Sequence, residues 1–347
     1  MSVYKIFPLF LLFFAAESFG AEPVRPVRIL FIAGQGSHGY GVHEFYAGSV
    51  LLAEALEHFV SEKPLDSNGT LLPEIKTTIH RNAKPGDTFM FDDADVVVVF
   101  CDGGGRYPLR GQEDRLEKLR QAGKGFVFLH YALCGSQGND AQKPSALPPD
   151  AQFILKATGG VYEIFHSVNP SYTAEFKSLP DHPVTRGVRP FSIDDEWYFH
   201  MRFLNDWSTE QILDRTVPNL HAILVTVPPD ETKQRRDGAH SGNPTVRNRL
   251  GKPEIVAWAF QRDDGGRGFG LTGGDQHWNF ANPDFRKLLL NAILWTAKAE
   301  VPPAGVSVPS PDFEELQKNL DEPNRLTPEM EKTIRQQIDR KKKESVL

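Results

Sequence analysis

Apolar residues in this chain gather into short, uninterrupted runs. Residues 27–33 (VRILFIA), 94–101 (ADVVVVFC) and 125–129 (GFVFL) are rich in β-branched and aromatic side chains and are bounded by Gly or Asp. Such runs predict strands buried on both faces of a parallel sheet. Residues 75–79 form a further, less apolar strand. Between the strands, residues 43–60 place Val50, Leu51, Ala55, Leu56 and Phe59 on one helical face, and 111–122 form a second amphipathic helix. The order strand–helix–strand–strand–helix–strand predicts an α/β fold: a mostly parallel sheet with helices on both faces.

From residue 134 to 149 the pattern gives way to Gly, Gln and Pro, a long loop over the sheet's carboxyl edge. A short helix at 151–157 precedes strand-like pieces at 172–176, 182–188 and 191–200. Strands at 221–227 and 254–261 flank a charged loop, and a last strand at 269–272 runs into Gly273-Gly274-Asp275-Gln276-His277-Trp278. Asn282 as N-cap and Pro283 at the first helical position then start a helix. Its wide apolar face closes a domain expected over 26–298. Residues 301–311 hold four prolines and no charge, the composition of a linker. Residues 312–347 are highly charged, with a helix expected at 328–343. They read as an appended, partly disordered helical tail without chemistry of its own.

Composition changes this picture in three places. Residues 1–20 carry Lys5, an apolar run at 6–16 and small residues Ser18 and Gly20 ahead of a cleavage point. That is the pattern of a secretory signal peptide, removed from the mature chain. An exported protein, periplasmic or secreted, with no stable membrane insertion is therefore expected. The net charge of −6 and the scatter of basic residues give no footprint for nucleic acid. Two cysteines, Cys101 and Cys134, make no disulfide framework. One bridge and two free thiols both fit the sequence.

Candidate chemistry begins with His130, which follows the strand at 125–129. In open α/β sheets ligands sit beyond the carboxyl ends of the strands. A satisfied core histidine is the plainer alternative. His38 and His43 flank the glycine loop 34–39, whose GQGSHG spacing superficially looks like a dinucleotide-binding turn and is weak evidence by itself. His166 and His277 also fall at strand or loop boundaries. Asp194, Asp195 and Glu196 lie inside an aromatic stretch, where burial is costly unless they are paired, hydrogen-bonded or metal-bound. These residue types suit general acid/base work or a zinc-like metal. HExxH, a GxSxG elbow and a Walker loop are absent. Cys134, four residues past His130, is a weaker candidate nucleophile for a hydrolase.

Four segments together resemble the ThuA-like (trehalose utilisation) proteins over residues 26–298. They are GFVFLHYA (125–132), HPVTRGV (182–188) followed by FSIDDEWY, PEIVAWAF (253–260), and GRGFGLTGGDQHWNFANPDFRKLLLNAILW (266–295). The resemblance implies a flavodoxin-like, class I glutamine amidotransferase-like fold. It also implies that His130 occupies the elbow at which amidotransferases display a cysteine, so thiolate hydrolysis of glutamine is not expected. The family is linked to the catabolism of sugars, in particular disaccharides oxidised at a 3-position.

On that basis the chain is expected to be a carbohydrate-active lyase, isomerase or hydrolase acting on a glycoside or 3-keto-sugar. The residues expected to carry catalysis are His130, Glu196, Asp195 and His277, with Glu196 or His130 as the base and Asp195 orienting a histidine. His38, His166, Tyr198 and Trp278 are the expected substrate contacts. His130, His166, Glu196 and His277 are the donors for a divalent metal such as zinc. A non-catalytic sugar-binding or scaffold protein is the alternative.

Overall fold

The structure is a computed structural model describing residues 25–138, 146–322 and 325–343. The expected signal peptide and part of the 134–149 loop lie outside the described residues. Along the chain the strands are β1 (Val27–Gly34), β2 (Ile75–Ala83), β3 (Val96–Phe100), β4 (Gly125–Leu129), β5 (Gly160–Val161), β6 (Ser171–Phe176), β7 (Phe191–Glu196), β8 (Arg202–Phe203), β9 (Leu220–Thr226), β10 (Glu254–Gln261) and β11 (Arg267–Leu271). The helices are α1 (Phe45–Ser61), α2 (Glu113–Gln121), α3 (Pro149–Thr158), α4 (Thr209–Leu213), α5 (Asp230–Lys233), α6 (Pro244–Arg247), α7 (Pro283–Thr296), α8 (Phe313–Gln317) and α9 (Pro328–Lys343).

Seven strands form the central sheet in the order β2-β1-β3-β4-β11-β10-β9. The first five run parallel, and β10 is antiparallel to both of its neighbours. Phe31, Val98, Val127 and Phe269 stand side by side across this sheet. They face one core layer with Phe45, Leu52 and Leu56 of α1 and Leu288, Leu289 and Ala292 of α7. The next residues along the strands, Ile32, Val99 and Phe128, face the opposite layer with Leu116 and Leu119 of α2 and Phe153 and Ile154 of α3. Burial on both faces explains why these strands are continuously apolar rather than alternating. Gly270 continues the second row, and a Cβ there would stand 2.4 Å from the Trp258 indole. A missing side chain makes room for the largest one.

Smaller pairs lie beside this sheet. β6 and β7 pair antiparallel from Ser171–Glu196 to Phe176–Phe191, and β5 pairs with β8. Two strand-like expectations need correction. Residues 182–188 are not a strand: His182 caps a 3-10 turn over Pro183–Thr185 by accepting from the Val184 N–H, and Pro183 has no N–H to give a ladder. The segment 191–200 is extended only as far as Glu196.

The chain beyond residue 298 also departs from expectation, because it docks on the domain. Val301 and Val306 are buried, and the Val306 N–H donates to Asn291 Oδ1 at 2.8 Å. Phe313, Leu316, Leu320, Ile334 and Ile338 all join the α1/α7 core layer. Cys101 and Cys134 are both buried and free. No helix among the described residues is long and apolar enough to cross a membrane.

Candidate functional site

Four neighbouring parallel strands release the chain at the same carboxyl edge, and each supplies polar groups there. Ser37 and His43 follow β1, Asp102 follows β3, His130 follows β4 and Asp275 follows β11. Glu196 reaches the same place from the end of β7.

His130 turns out of β4 with φ 54°, a left-handed conformation that a non-glycine residue adopts at a cost. Its ring is fully buried. Nδ1 donates to the Thr272 carbonyl at 2.8 Å, which leaves the lone pair on Nε2. That nitrogen lies 3.0 Å from His43 Nε2, 3.1 Å from the Tyr198 hydroxyl, 3.6 Å from Glu196 Oε2 and 3.9 Å from Asp275 Oδ1. The Tyr198 ring stacks on the imidazole with centroids 4.7 Å apart.

His43 is held from its other side. Its Nδ1 is 3.0 Å from Asp102 Oδ1 and 2.9 Å from Ser37 Oγ, and Ser37 donates to Asp102 at 3.0 Å. Its Nε2 is 3.2 Å from Asp275 Oδ1. Burial alone would lower the His43 pKa, but hydrogen bonds to Asp102 and Asp275 outweigh it and raise the group to about 9. Burial, and then the positive charge of His43, bring His130 down to about 3. Burial, and then the charge of Asp275, push Glu196 up to about 7. The site therefore holds a neutral imidazole beside a carboxyl group suited to proton exchange near neutrality.

Asp195 has a different task from the expected one. It orients no histidine; the Thr272 carbonyl does that for His130. Instead Asp195 Oδ2 accepts from the Gly274 N–H at 2.7 Å, and Oδ1 accepts from Gln276 at 3.1 Å and Glu196 at 2.9 Å. It thereby fixes the loop that presents Asp275. Gly274 sits at φ 120° in that loop, a region that favours glycine. Burial and Asp275 raise the Asp195 carboxyl to about 7, against the pull of the backbone donors.

The structure separates the other expected residues. His277 is buried beneath the C-terminal segment and donates from Nε2 to the Leu316 carbonyl at 2.8 Å. It joins neither the catalytic set nor the donor cluster. Trp278 is also buried, packed on Tyr40 and Phe313, and offers no open face to a sugar. His166 is half-buried, stacked on His200 with centroids 4.3 Å apart, and is not among the converging donors. Trp197 is core, against Phe176 and Phe285. His38 lies at the exposed rim, its Nδ1 2.8 Å from Ser37 Oγ and its ring 3.9 Å from that of His43. Cys134 is fully buried, and burial followed by Asp150 pushes its thiol far above the range of a thiolate nucleophile.

The converging set is His43, His130, Glu196 and Asp275, whose donor atoms all lie within 4.8 Å of one another. His43, Asp102 and Asp275 were not singled out by sequence as site residues. The signal was present, since each lies within a few residues of an apolar strand's end or of the glycine loop that follows one.

A family model described as ThuA, trehalose utilisation, matches residues 90–296. No curated protein matches the chain. Among solved structures, a ThuA-like protein from Bacteroides uniformis is 16% identical with a TM-score of 0.45, the match covering 81% of this chain and 95% of that one. A ThuA-like protein from Parabacteroides merdae is 15% identical with a TM-score of 0.43, covering 79% and 90%. The glutaminase domain of Trypanosoma brucei CTPS with bound acivicin is 10% identical with a TM-score of 0.32, covering 78% and 94%.

Proposed function

The chain belongs to the ThuA, trehalose utilisation, family, and from that premise we propose that it is a carbohydrate-active enzyme using acid/base chemistry on a glycoside or 3-keto-sugar. One observation carries the reading. Glu196 Oε2 stands 3.6 Å from His130 Nε2, and the glutamate side chain is 23% exposed where the histidine is wholly enclosed. The carboxyl group is thus the member that meets an incoming substrate, with the imidazole behind it.

A keto group in a sugar ring acidifies the proton on the adjoining carbon. Glu196 takes that proton, and the electron pair moves onto the carbonyl oxygen. Positive charge held within the cluster stabilises the oxygen as it becomes negative. Return of the proton from Glu196 to a different atom, or departure of a group from the neighbouring carbon, completes an isomerisation or an elimination. His38 at the rim supplies a polar contact for sugar hydroxyls, whereas Tyr198, expected as a substrate contact, is buried with its hydroxyl turned onto His130 Nε2. Export of the mature chain is part of the same proposal and is supported by the composition of residues 1–20.

Purified mature protein incubated with a panel of 3-keto-glycosides, read by chromatography and mass spectrometry, tests this. Conversion of at least one member is expected. If the whole panel stays unchanged while a cognate enzyme turns it over, the enzymatic reading fails. Saturable binding without turnover would then point to a sugar-binding protein.

A further inference from the structure

The geometry points to a divalent-metal site formed by His43, His130 and Asp275, with Glu196 beside an open fourth position. The inference shares residues with the proposed sugar chemistry but does not depend on which sugar, if any, is converted.

The first support is spacing. Ligands bonded to zinc at 2.0–2.1 Å with tetrahedral angles stand about 3.3–3.4 Å from one another. His43 Nε2 to His130 Nε2 is 3.0 Å, His43 Nε2 to Asp275 Oδ1 is 3.2 Å, and His130 Nε2 to Asp275 Oδ1 is 3.9 Å. These three edges bracket one face of such a tetrahedron. Two imidazole nitrogens facing each other at 3.0 Å repel unless a cation, a proton or a metal, is shared between them.

The second support is the outer shell. A histidine that binds metal through one ring nitrogen usually donates from the other to a carboxylate or backbone carbonyl, which fixes its tautomer and orientation. Both arrangements occur here. His130 Nδ1 donates to the Thr272 carbonyl at 2.8 Å, and His43 Nδ1 faces Asp102 at 3.0 Å. Asp102 is further fixed by Ser37, and the Asp275 loop by Asp195. The inner nitrogens are therefore aimed at each other by groups that have no part in the contact.

The third support is the mixed character of the donors. Two imidazoles and one carboxylate suit zinc and similar first-row ions. Three protein ligands with one position open are the pattern of catalytic rather than structural sites. Glu196, within reach of all three, flanks that open side.

The test uses mature protein prepared without an affinity tag, stripped with chelator, dialysed and titrated with zinc alone by calorimetry. Elemental analysis counts the bound ion, and cobalt(II) substitution supplies a visible spectrum. About one equivalent per chain is expected, with the bands of a four-coordinate cobalt site. Asp275→Asn and His43→Gln, each confirmed folded by circular dichroism, are expected to weaken zinc binding more than tenfold. Asp102→Asn is expected to weaken it by about 10–100-fold through the outer shell. Glu196→Gln is expected to keep one equivalent. If wild-type protein binds no zinc, or folded Asp275→Asn binds it as tightly as wild type, the site is a proton-shared pair and the inference is overturned. Because no sugar is present, failure of the substrate panel and failure of the metal titration are separate results.

Discussion

The carboxylate of Glu196 and the imidazole of His130 stand 3.6 Å apart although they come from different sheets. β7 lies outside the seven-stranded sheet, yet its last residue meets the first residue beyond β4. Glu196→Gln keeps the size of the side chain and removes its capacity to exchange a proton. A fall in turnover of about 100–10,000-fold is expected, with the melting temperature within a few degrees of wild type. Steady-state rates on the best-converted 3-keto-glycoside check it. Retention of rate within threefold would remove Glu196 from the chemistry.

Asp195, one residue earlier, works by position rather than by contact with substrate. Its two oxygens accept from the backbone N–H groups of Glu196, Gly274 and Gln276. In Asp195→Asn one of those oxygens becomes an NH2 group, placing donor against donor in a buried site. A loss of about 1–3 kcal/mol is expected, read as a shift in the urea unfolding midpoint. A midpoint identical to wild type would show that the 273–276 loop holds its shape without this acid.

The sequence showed the sheet more clearly than it showed the site. β3 and β4 are apolar on both faces because helices cover both, and this gives uninterrupted runs that need no partner to be recognised. His130 could be found because it follows such a run directly. Asp102 and Asp275 follow the same rule, but glycines surround them and their loops read as turns. His43 sits at the start of a helix, where nothing in the sequence reveals the carboxylates that flank it. His277 is the converse case: its place just past a strand suggests a site, but the structure buries it. What buries it is Leu316, nearly forty positions away in a segment whose charge hides an apolar stripe at Phe313, Leu316 and Leu320.

That stripe gives the next prediction. Leu316 is fully buried in the core layer shared with α1 and α7. Leu316→Ala is expected to destabilise the protein by about 2–5 kcal/mol, measured by chemical denaturation of the full chain. A mobile appended tail would show no change beyond about 0.5 kcal/mol.

The last prediction concerns acid. His182 is half-buried, and its Nδ1 accepts from the Val184 N–H at 3.2 Å, which requires an unprotonated ring nitrogen. Burial, followed by the positive charges of His221, Arg267 and Arg186, lowers its pKa from the usual 6.5 to about 3. Between those values the unfolded chain takes up a proton that the folded chain refuses. Unfolding is then favoured, so the stability that the neutral ring supports is complete above pH 6.5 and declines as the pH falls towards 3. His200, lowered to about 3 by burial and then by His166, adds to the decline in the same window. His182→Asn keeps an acceptor at this capping position, because Asn is among the favoured caps, and it removes one titrating group. Unfolding midpoints measured from pH 8 to pH 4 are expected to show near-equal stability for the two proteins at the upper end. Below pH 6.5 the decline should be shallower in the variant, and parallel curves would mean that His182 takes no part in acid unfolding.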